Sequence, residues 1–210
     1  MQYGHILNAW CSMPKKKGKW ADSWTQKAKD KGYSARSVFK LEELETRFQP
    51  LKGCKKVLDL GCAPGSWLQY AAKKVLPEGS LTGVDLKQVK IQFPEGVRIF
   101  QSDISMLEES ILASSRFDLV LSDMAPDTTG IPSVDSQRSY DLNSQALSFA
   151  QRHLKPGGTL VLKAFQGEPL NRLKSEIRAC FESFKLFKPK SSRSESVEIF
   201  MLGFGLLSQS

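Results

Sequence analysis

The sequence predicts an α/β fold, a seven-stranded and mostly parallel sheet with helices on both faces. Three observations carry this. Between Val57 and Phe204, short apolar runs of strand length alternate with longer segments of helical period. That alternation calls for parallel strands covered on both sides. A glycine-containing turn, Gly61 to Gly65, joins the first run to the helix after it. The last two runs are separated only by Pro189 to Ser196, too short for a helical crossover, so they should pair antiparallel.

Residues 1–19 lack either period and read as a basic, flexible tail ahead of a single domain, 20–210. Two helices come first, 22–31 and 34–48. In the second, Ser34 can cap, and Val38, Leu41, Leu44 and Phe48 form an apolar stripe. Pro50 and Gly53 end it. The strands are 57–60, 81–86, 97–101, 117–122, 159–163, 184–188 and 197–204. The helices between them are 67–75, 140–154 and 168–184, with turns at Pro77-Glu78-Gly79 and Pro156-Gly157-Gly158.

Composition narrows the function classes. Forty per cent of the 210 residues are apolar, enough for a sizeable core. No run is long enough to cross a bilayer, and the first twelve residues lack a basic-then-apolar signal pattern. A cytoplasmic monomer is expected. Cys11, Cys54, Cys62 and Cys180 form no C-x-x-C pair and read as packing residues in a reducing compartment. His5 and His153 are too few and too far apart to argue for a metal; His153 reads as structural. The net charge of +8 is uneven: residues 1–40 hold nine basic side chains against Asp22 and Asp30, so +7 of it lies there. A basic arm on a nearly neutral body suggests a polyanionic partner, or else a solvated lysine tail.

The chemistry-bearing residues fall at the ends of successive strands. After the first comes Asp59-Leu60-Gly61-Cys62-Ala63-Pro64-Gly65-Ser66-Trp67. Glycines at a strand-to-helix turn let the backbone approach a ligand. The spacing fits neither a dinucleotide fingerprint nor a Walker loop, which disfavours pyrophosphate. The second strand ends in Asp85, placed to accept both hydroxyls of an adenosine ribose. The third ends in Asp103, followed by Ile104: an acceptor for an adenine amino group beside apolar cover. The bland reading of each acid is a helix cap or a solvated charge. Together, and in order, they describe a site for a nucleoside without a long phosphate tail.

Asp59–Trp67, Asp85, Asp103 and Asp123-Met124-Ala125-Pro126 closely resemble the FtsJ family of RNA ribose 2′-O-methyltransferases, from about Trp20 to Gly203. The similarity is greatest to the bacterial heat-shock branch, which methylates a uridine ribose in the A-loop of large-subunit (23S) ribosomal RNA. The resemblance implies a Rossmann-like class I methyltransferase fold and S-adenosyl-L-methionine as cofactor. It places the cofactor on Gly65, Trp67, Asp85, Asp103 and Asp123, to which the reading of the turn and the third strand end adds Gly61, Pro64 and Ile104. Ser66 stands where the family usually has a second glycine, which could narrow the approach to the methionine part.

Methyl transfer to a ribose hydroxyl needs help with a poor nucleophile and an in-line arrangement. Lys163 ends the apolar run Leu160-Val161-Leu162, an unusual place for an ammonium because burying it is costly. Desolvation and a second lysine would lower its pKa and suit it to act as a base. Glu198 interrupts Val197-Glu198-Ile199-Phe200, Asp123 follows the fourth strand, and Lys40 lies in the helix before the sheet. The bland reading is a pair of structural ion pairs. The family's Lys-Asp-Lys-Glu tetrad falls on Lys40, Asp123, Lys163 and Glu198. That implies proton removal or oxygen steering by Lys163, charge balance and orientation by the two acids, and substrate steering by Lys40.

The RNA expected as partner, 23S rRNA within the large ribosomal subunit, would meet Lys15, Lys16, Lys17, Lys19 and Arg36 on the arm and the helical segment 20–50. A second cluster is Lys188, Lys190 and Arg193, with Lys185 nearby. Trp20, Trp24, Tyr33 and Phe39 offer stacking surfaces, although Trp24 and Phe39 also fit core positions. Two alternatives remain. A basic arm does not name its RNA, so a transfer-RNA ribose is open. A ribosome-assembly factor that keeps only the fold is another. Asp123-Met124-Ala125-Pro126 lacks the Asn/Asp-Pro-Pro-aromatic loop of base amino methyltransferases. No metal is expected, because the carboxylates have other partners.

Overall fold

In a computed structural model of the chain, which describes residues 19–107, 116–193 and 195–208, seven strands form one sheet. They are β1 (Lys56–Leu60), β2 (Ser80–Asp85), β3 (Val97–Gln101), β4 (Phe117–Ser122), β5 (Leu154–Phe165), β6 (Phe181–Phe187) and β7 (Glu198–Leu206). Their spatial order is β3-β2-β1-β4-β5-β7-β6. The first five are parallel. β7 slots between β5 and β6, antiparallel to both. The order reverses between β1 and β4, so their C-terminal ends open the crevice in which such sheets bind ligands.

Helices α1 (Lys19–Asp30), α2 (Val38–Phe48), α3 (Ser66–Val75), α4 (Pro132–His153) and α5 (Leu170–Cys180) flank the sheet, with a short 3-10 turn at Ile104–Met106. Side chains alternate across a strand, and two cores result. On one face Leu58, Val120, Leu160, Leu162 and Met201 pack with Ala146, Phe149 and Ala150 of α4 and Leu173 and Ile177 of α5. On the other, Val57, Leu121, Val161 and Phe200 pack with Leu41 and Leu44 of α2 and Trp67, Leu68 and Ala71 of α3.

The same alternation positions the site. Asp59, Asp123, Lys163 and Glu198 each stand two residues from one of the apolar residues on that second face: Val57, Leu121, Val161 and Phe200. All four therefore lie on the face that α2 and α3 cover, and α2 carries Lys40.

Several boundaries differ from those the sequence suggests. α4 begins at Pro132 rather than 140, because its first turns bury polar residues: Asp135, Ser136, Ser139 and Asn143. β5 extends from Leu154 to Phe165, so Lys163 lies inside the strand and not at its end. Its longer partner β7 supplies hydrogen bonds past the end of β4. α5 stops at Cys180, where β6 takes over the chain. Ser37 and not Ser34 precedes α2, and the Ser34 N–H instead donates to Gln69 Oε1 at 2.8 Å. His153 ends α4 with its ring 4.2 Å from that of Phe149, a packing role. Among the described residues no helix is long and apolar enough to cross a membrane.

Candidate active site

The crevice begins with the turn after β1. Gly61 has φ 75°, and a Cβ there would lie 2.7 Å from Met124 Cγ and 3.0 Å from Met124 N. Only glycine lets the β1 turn lie this close to the loop after β4. Gly65 has φ 110°, and a Cβ there would meet the ends of Ile91 and Phe93 at 2.6 and 3.0 Å. Between them the Ala63–Pro64 peptide is cis.

The acids at the strand ends hold this turn. Asp85 Oδ2 accepts from the Ala63 N–H at 2.8 Å, and Oδ1 from the Lys87 N–H at 2.7 Å. Asp103 caps the 3-10 turn: Oδ1 accepts from Ser105 Oγ at 2.6 Å and Ser105 N at 2.8 Å. The Ser105 hydroxyl, then its N–H, holds the Asp103 carboxyl below its ordinary value. Ile104 is partly buried against the core. Leu86 and Met106, the apolar residues beside these acids, are 65% and 74% exposed. Sequence reasoning expects apolar cover beside Asp103 and names only Ile104.

The Trp67 ring packs inside the protein. It is buried against Phe200, centroids 5.9 Å apart, and its indole N–H donates to the Ser37 carbonyl at 2.9 Å. What Trp67 can present to the crevice is its backbone at the first turn of α3. Ser66 is also buried, its hydroxyl 2.9 Å from that of Ser37, so it ties α3 to α2.

Asp59 is a residue whose role the sequence left unassigned. It is 1% exposed, and neither carboxylate oxygen has a hydrogen-bond partner among the described residues. Burial, then Asp123 and Asp85, push its carboxyl well above the ordinary value. A buried acid without a partner, beside two more acids, is a site short of positive charge. The signal was visible as a charge inside the apolar run Val57-Leu58-Asp59-Leu60.

Four side chains form a continuous ionic row. Lys40 Nζ lies 2.6 Å from Glu198 Oε2, and Lys163 Nζ 4.0 Å from Glu198 Oε1. Lys163 Nζ donates to the Asp123 carbonyl at 2.6 Å. Asp123 Oδ1 is 2.8 Å from that ammonium, near enough to pair with it, but receives no directed hydrogen bond. The side chains of Lys163 and Lys40 are 6% and 12% exposed, so each charge is compensated in a poorly solvated place. Burial opposes ionisation of Glu198, but Lys40 more than offsets it and the carboxyl sits below its ordinary value. Each lysine meets a carboxylate, and Glu198 lies between the two.

Beside this row lies a cavity of about 420 Å³ lined by residues including Arg36, Ser37, Lys40, Arg193, Ser196 and Glu198. Arg36 donates to the Ser191 carbonyl at 2.7 Å. Glu43 of α2 accepts from the N–H groups of Lys190 and Ser191 at 2.7 and 2.8 Å. These bonds fasten the basic loop of Lys188, Lys190 and Arg193 to α2, joining Arg36 to the second basic cluster. Lys15, Lys16, Lys17 and the Lys19 side chain lie outside the described residues. Of the arm's aromatics, Phe39 is buried against Trp24, centroids 4.9 Å apart, which removes it from stacking on bases.

The chain matches the model of the FtsJ-like methyltransferases over residues 33–206. It is 46% identical over 194 residues to the ribosomal RNA large subunit methyltransferase E of Desulfatibacillum aliphaticivorans, covering 90% of this chain and 94% of that one. The protein of the same name from Desulforapulum autotrophicum is 44% identical over 192 residues, 90% of this chain and 95% of that one. Among solved structures, a Plasmodium falciparum ribosomal RNA methyltransferase superposes with TM-score 0.75 at 28% identity, over 84% of this chain and all of that one. An O-methyltransferase of Streptomyces achromogenes in complex with SAM shares the fold, with TM-score 0.56 at 13% identity over 91% of each chain.

Proposed function

Since the chain belongs to the FtsJ-like methyltransferase family, we propose that it methylates a ribose 2′-hydroxyl in large-subunit (23S) ribosomal RNA. S-adenosyl-L-methionine is the donor, and Lys40, Asp123, Lys163 and Glu198 act on the acceptor. The ionic row supports this most: two lysines and two acids, brought from α2, β5, β7 and the loop after β4 to the crevice at the ends of β1 and β4.

The cofactor site fits its ligand on two counts. Gly61 and Gly65 let the turn after β1 close against Met124, Ile91 and Phe93, which brings its backbone to the crevice. Asp59 is an orphaned buried acid flanked by Asp85 and Asp123, a setting for a ligand carrying an ammonium and a sulfonium. Asp85 and Asp103 serve the ribose and the adenine edge, with Leu86 and Met106 as apolar cover. When bound, S-adenosylmethionine supplies a methyl group already activated on sulfur.

The protein's own residues do the rest. Lys163, held on one side by Asp123 and on the other by Glu198, points its ammonium into the crevice and binds the 2′-oxygen. Preorganised positive charge at that atom stabilises the negative charge that grows as its proton leaves. The proton passes to a carboxylate oxygen of the row, Asp123 Oδ1, as the methyl group leaves sulfur for the 2′-oxygen. Lys40 keeps Glu198 ionised and faces the cavity with Arg36 and Arg193, where the acceptor strand's phosphates would lie.

The test is radiolabelled methyl transfer by wild type and Lys163→Ala, to free ribosomal RNA, large subunits and bulk transfer RNA. Products are mapped by resistance to alkaline cleavage. Label on a large-subunit ribose, absent with the variant, supports the proposal. Label in transfer RNA alone keeps the chemistry and overturns the substrate. Cofactor binding with no transfer to any acceptor would leave an assembly factor.

A further inference from the structure

β5 outruns its neighbour. β4 stops at Ser122, opposite Leu162, while β5 continues to Phe165. On the other side β7 pairs through Phe165. On the vacated side, the Lys163 carbonyl and the Phe165 N–H lose their strand, and both residues are buried. Unpaired backbone groups there would be costly.

α4 fills the gap with side chains. Asn143 Nδ2 donates to the Lys163 carbonyl at 3.0 Å and to the Ser139 carbonyl at 2.7 Å. Ser139 Oγ accepts from the Phe165 N–H at 3.0 Å. Asn143 and Ser139 are each 2% exposed and stand one helical turn apart on one face. A turn earlier, Asp135 accepts from the N–H groups of Thr129 and Gly130 at 2.7 and 3.1 Å. Gly167 presses against Ser136, where a Cβ would lie 2.4 Å from the Ser136 Cβ. The buried polar stripe of α4 thus serves as a substitute strand for the part of β5 that carries Lys163.

Resting on the reading of Lys163 as the residue that meets the acceptor oxygen, we infer that Asn143 and Ser139 are positioning residues for methyl transfer. They fix the backbone at Lys163 and so the height at which its ammonium reaches Asp123 and the substrate. Both are buried and act through Lys163, so their loss should act on turnover rather than on binding.

The experiment compares Asn143→Ala, Ser139→Ala, Ser139→Thr, Lys163→Ala and the Asn143→Ala/Lys163→Ala double variant in the full chain, with rates normalised to folded protein by circular dichroism. Asn143→Ala should lower kcat about 10- to 100-fold, leave both KM values within about twofold, and shift the pH profile of kcat. Ser139→Ala should lower kcat, and Ser139→Thr, which keeps the hydroxyl, should restore most of it. In the double variant Asn143→Ala should add little to Lys163→Ala, as residues acting through one group do. Wild-type kcat and pH profile in Asn143→Ala and Ser139→Ala would overturn the inference, as would full additivity in the double variant. If Asn143→Ala does not fold, the Ser139 pair decides. Wild-type turnover by Lys163→Ala is a separate result and would overturn the reading of Lys163 itself.

Discussion

Lys163 Nζ meets Asp123 twice, 2.6 Å from its carbonyl oxygen and 2.8 Å from Oδ1, across forty positions of chain. The carbonyl bond sets where the ammonium sits, and the carboxylate compensates its charge without a directed hydrogen bond. An ammonium held this way keeps a donor for a third oxygen. Lys163→Ala should therefore bind S-adenosylmethionine as wild type does but lose transfer by about 10²-fold or more. Calorimetry for binding and radiolabel for turnover check this. Near-normal turnover would remove lysine from the reaction.

Glu198 couples stability to pH. Burial opposes its ionisation, Lys40 and Lys163 outweigh that, and the folded carboxyl lies below the unfolded one. A depressed acid contributes stability above its unfolded pKa and loses it as pH falls through the folded value. Glu198→Gln should cost roughly 1–2 kcal/mol at pH 7, by leaving Lys40 without its carboxylate. The gap to wild type should narrow below about pH 4.5 and close in stronger acid. Denaturant melts at several pH values measure it. A gap independent of pH would mean that the pair contributes by packing alone.

Asp59 has the opposite sign. Burial first, then Asp123 and Asp85, raise its folded pKa. The folded protein keeps this proton where the unfolded chain has released it, so stability falls as pH climbs from about 4 toward the folded value. Asp59→Asn, uncharged throughout, should match wild type near pH 3 and exceed it at pH 8 by about 1–3 kcal/mol in the absence of cofactor. The same change should weaken S-adenosylmethionine binding about tenfold, because asparagine cannot ionise against a bound cation as the acid can. A variant less stable than wild type at pH 8 contradicts the account.

These three residues differ in how far the sequence disclosed them. Lys163 and Glu198 stood out because each charge breaks an apolar run, and strand alternation put both on one face with Asp123. Asp59 breaks a run in the same way, but its want of a partner appears only once Asp85 and Asp123 close around it. The first half of α4 was illegible for a physical reason. Asp135, Ser136, Ser139 and Asn143 face inward, so the buried side of that helix is polar and an apolar stripe never forms. Trp67, which the resemblance placed at the cofactor, buries its ring, and its indole partner is the Ser37 carbonyl thirty residues upstream, which no local pattern records.

Arg36 and Arg193 line one cavity, and burial, then Arg193, holds the Arg36 pKa below its ordinary value. Two guanidiniums, Arg36 just before α2 and Arg193 on the loop fastened by Glu43, form a surface that favours an anion, and RNA phosphate is the anion proposed. If they meet phosphates, Arg193→Ala should weaken RNA binding about equally across sequences and lower the slope of log K against log salt by about one. Arg36→Ala should do the same and also free the Ser191 carbonyl, so it should weaken binding more than Arg193→Ala. S-adenosylmethionine affinity should be unchanged in both, because neither arginine lies on the glycine turn. Filter binding of a large-subunit RNA fragment across a salt series gives the slope. An unchanged slope in both variants would show that the phosphates are held elsewhere and that these arginines serve only to fix the loop.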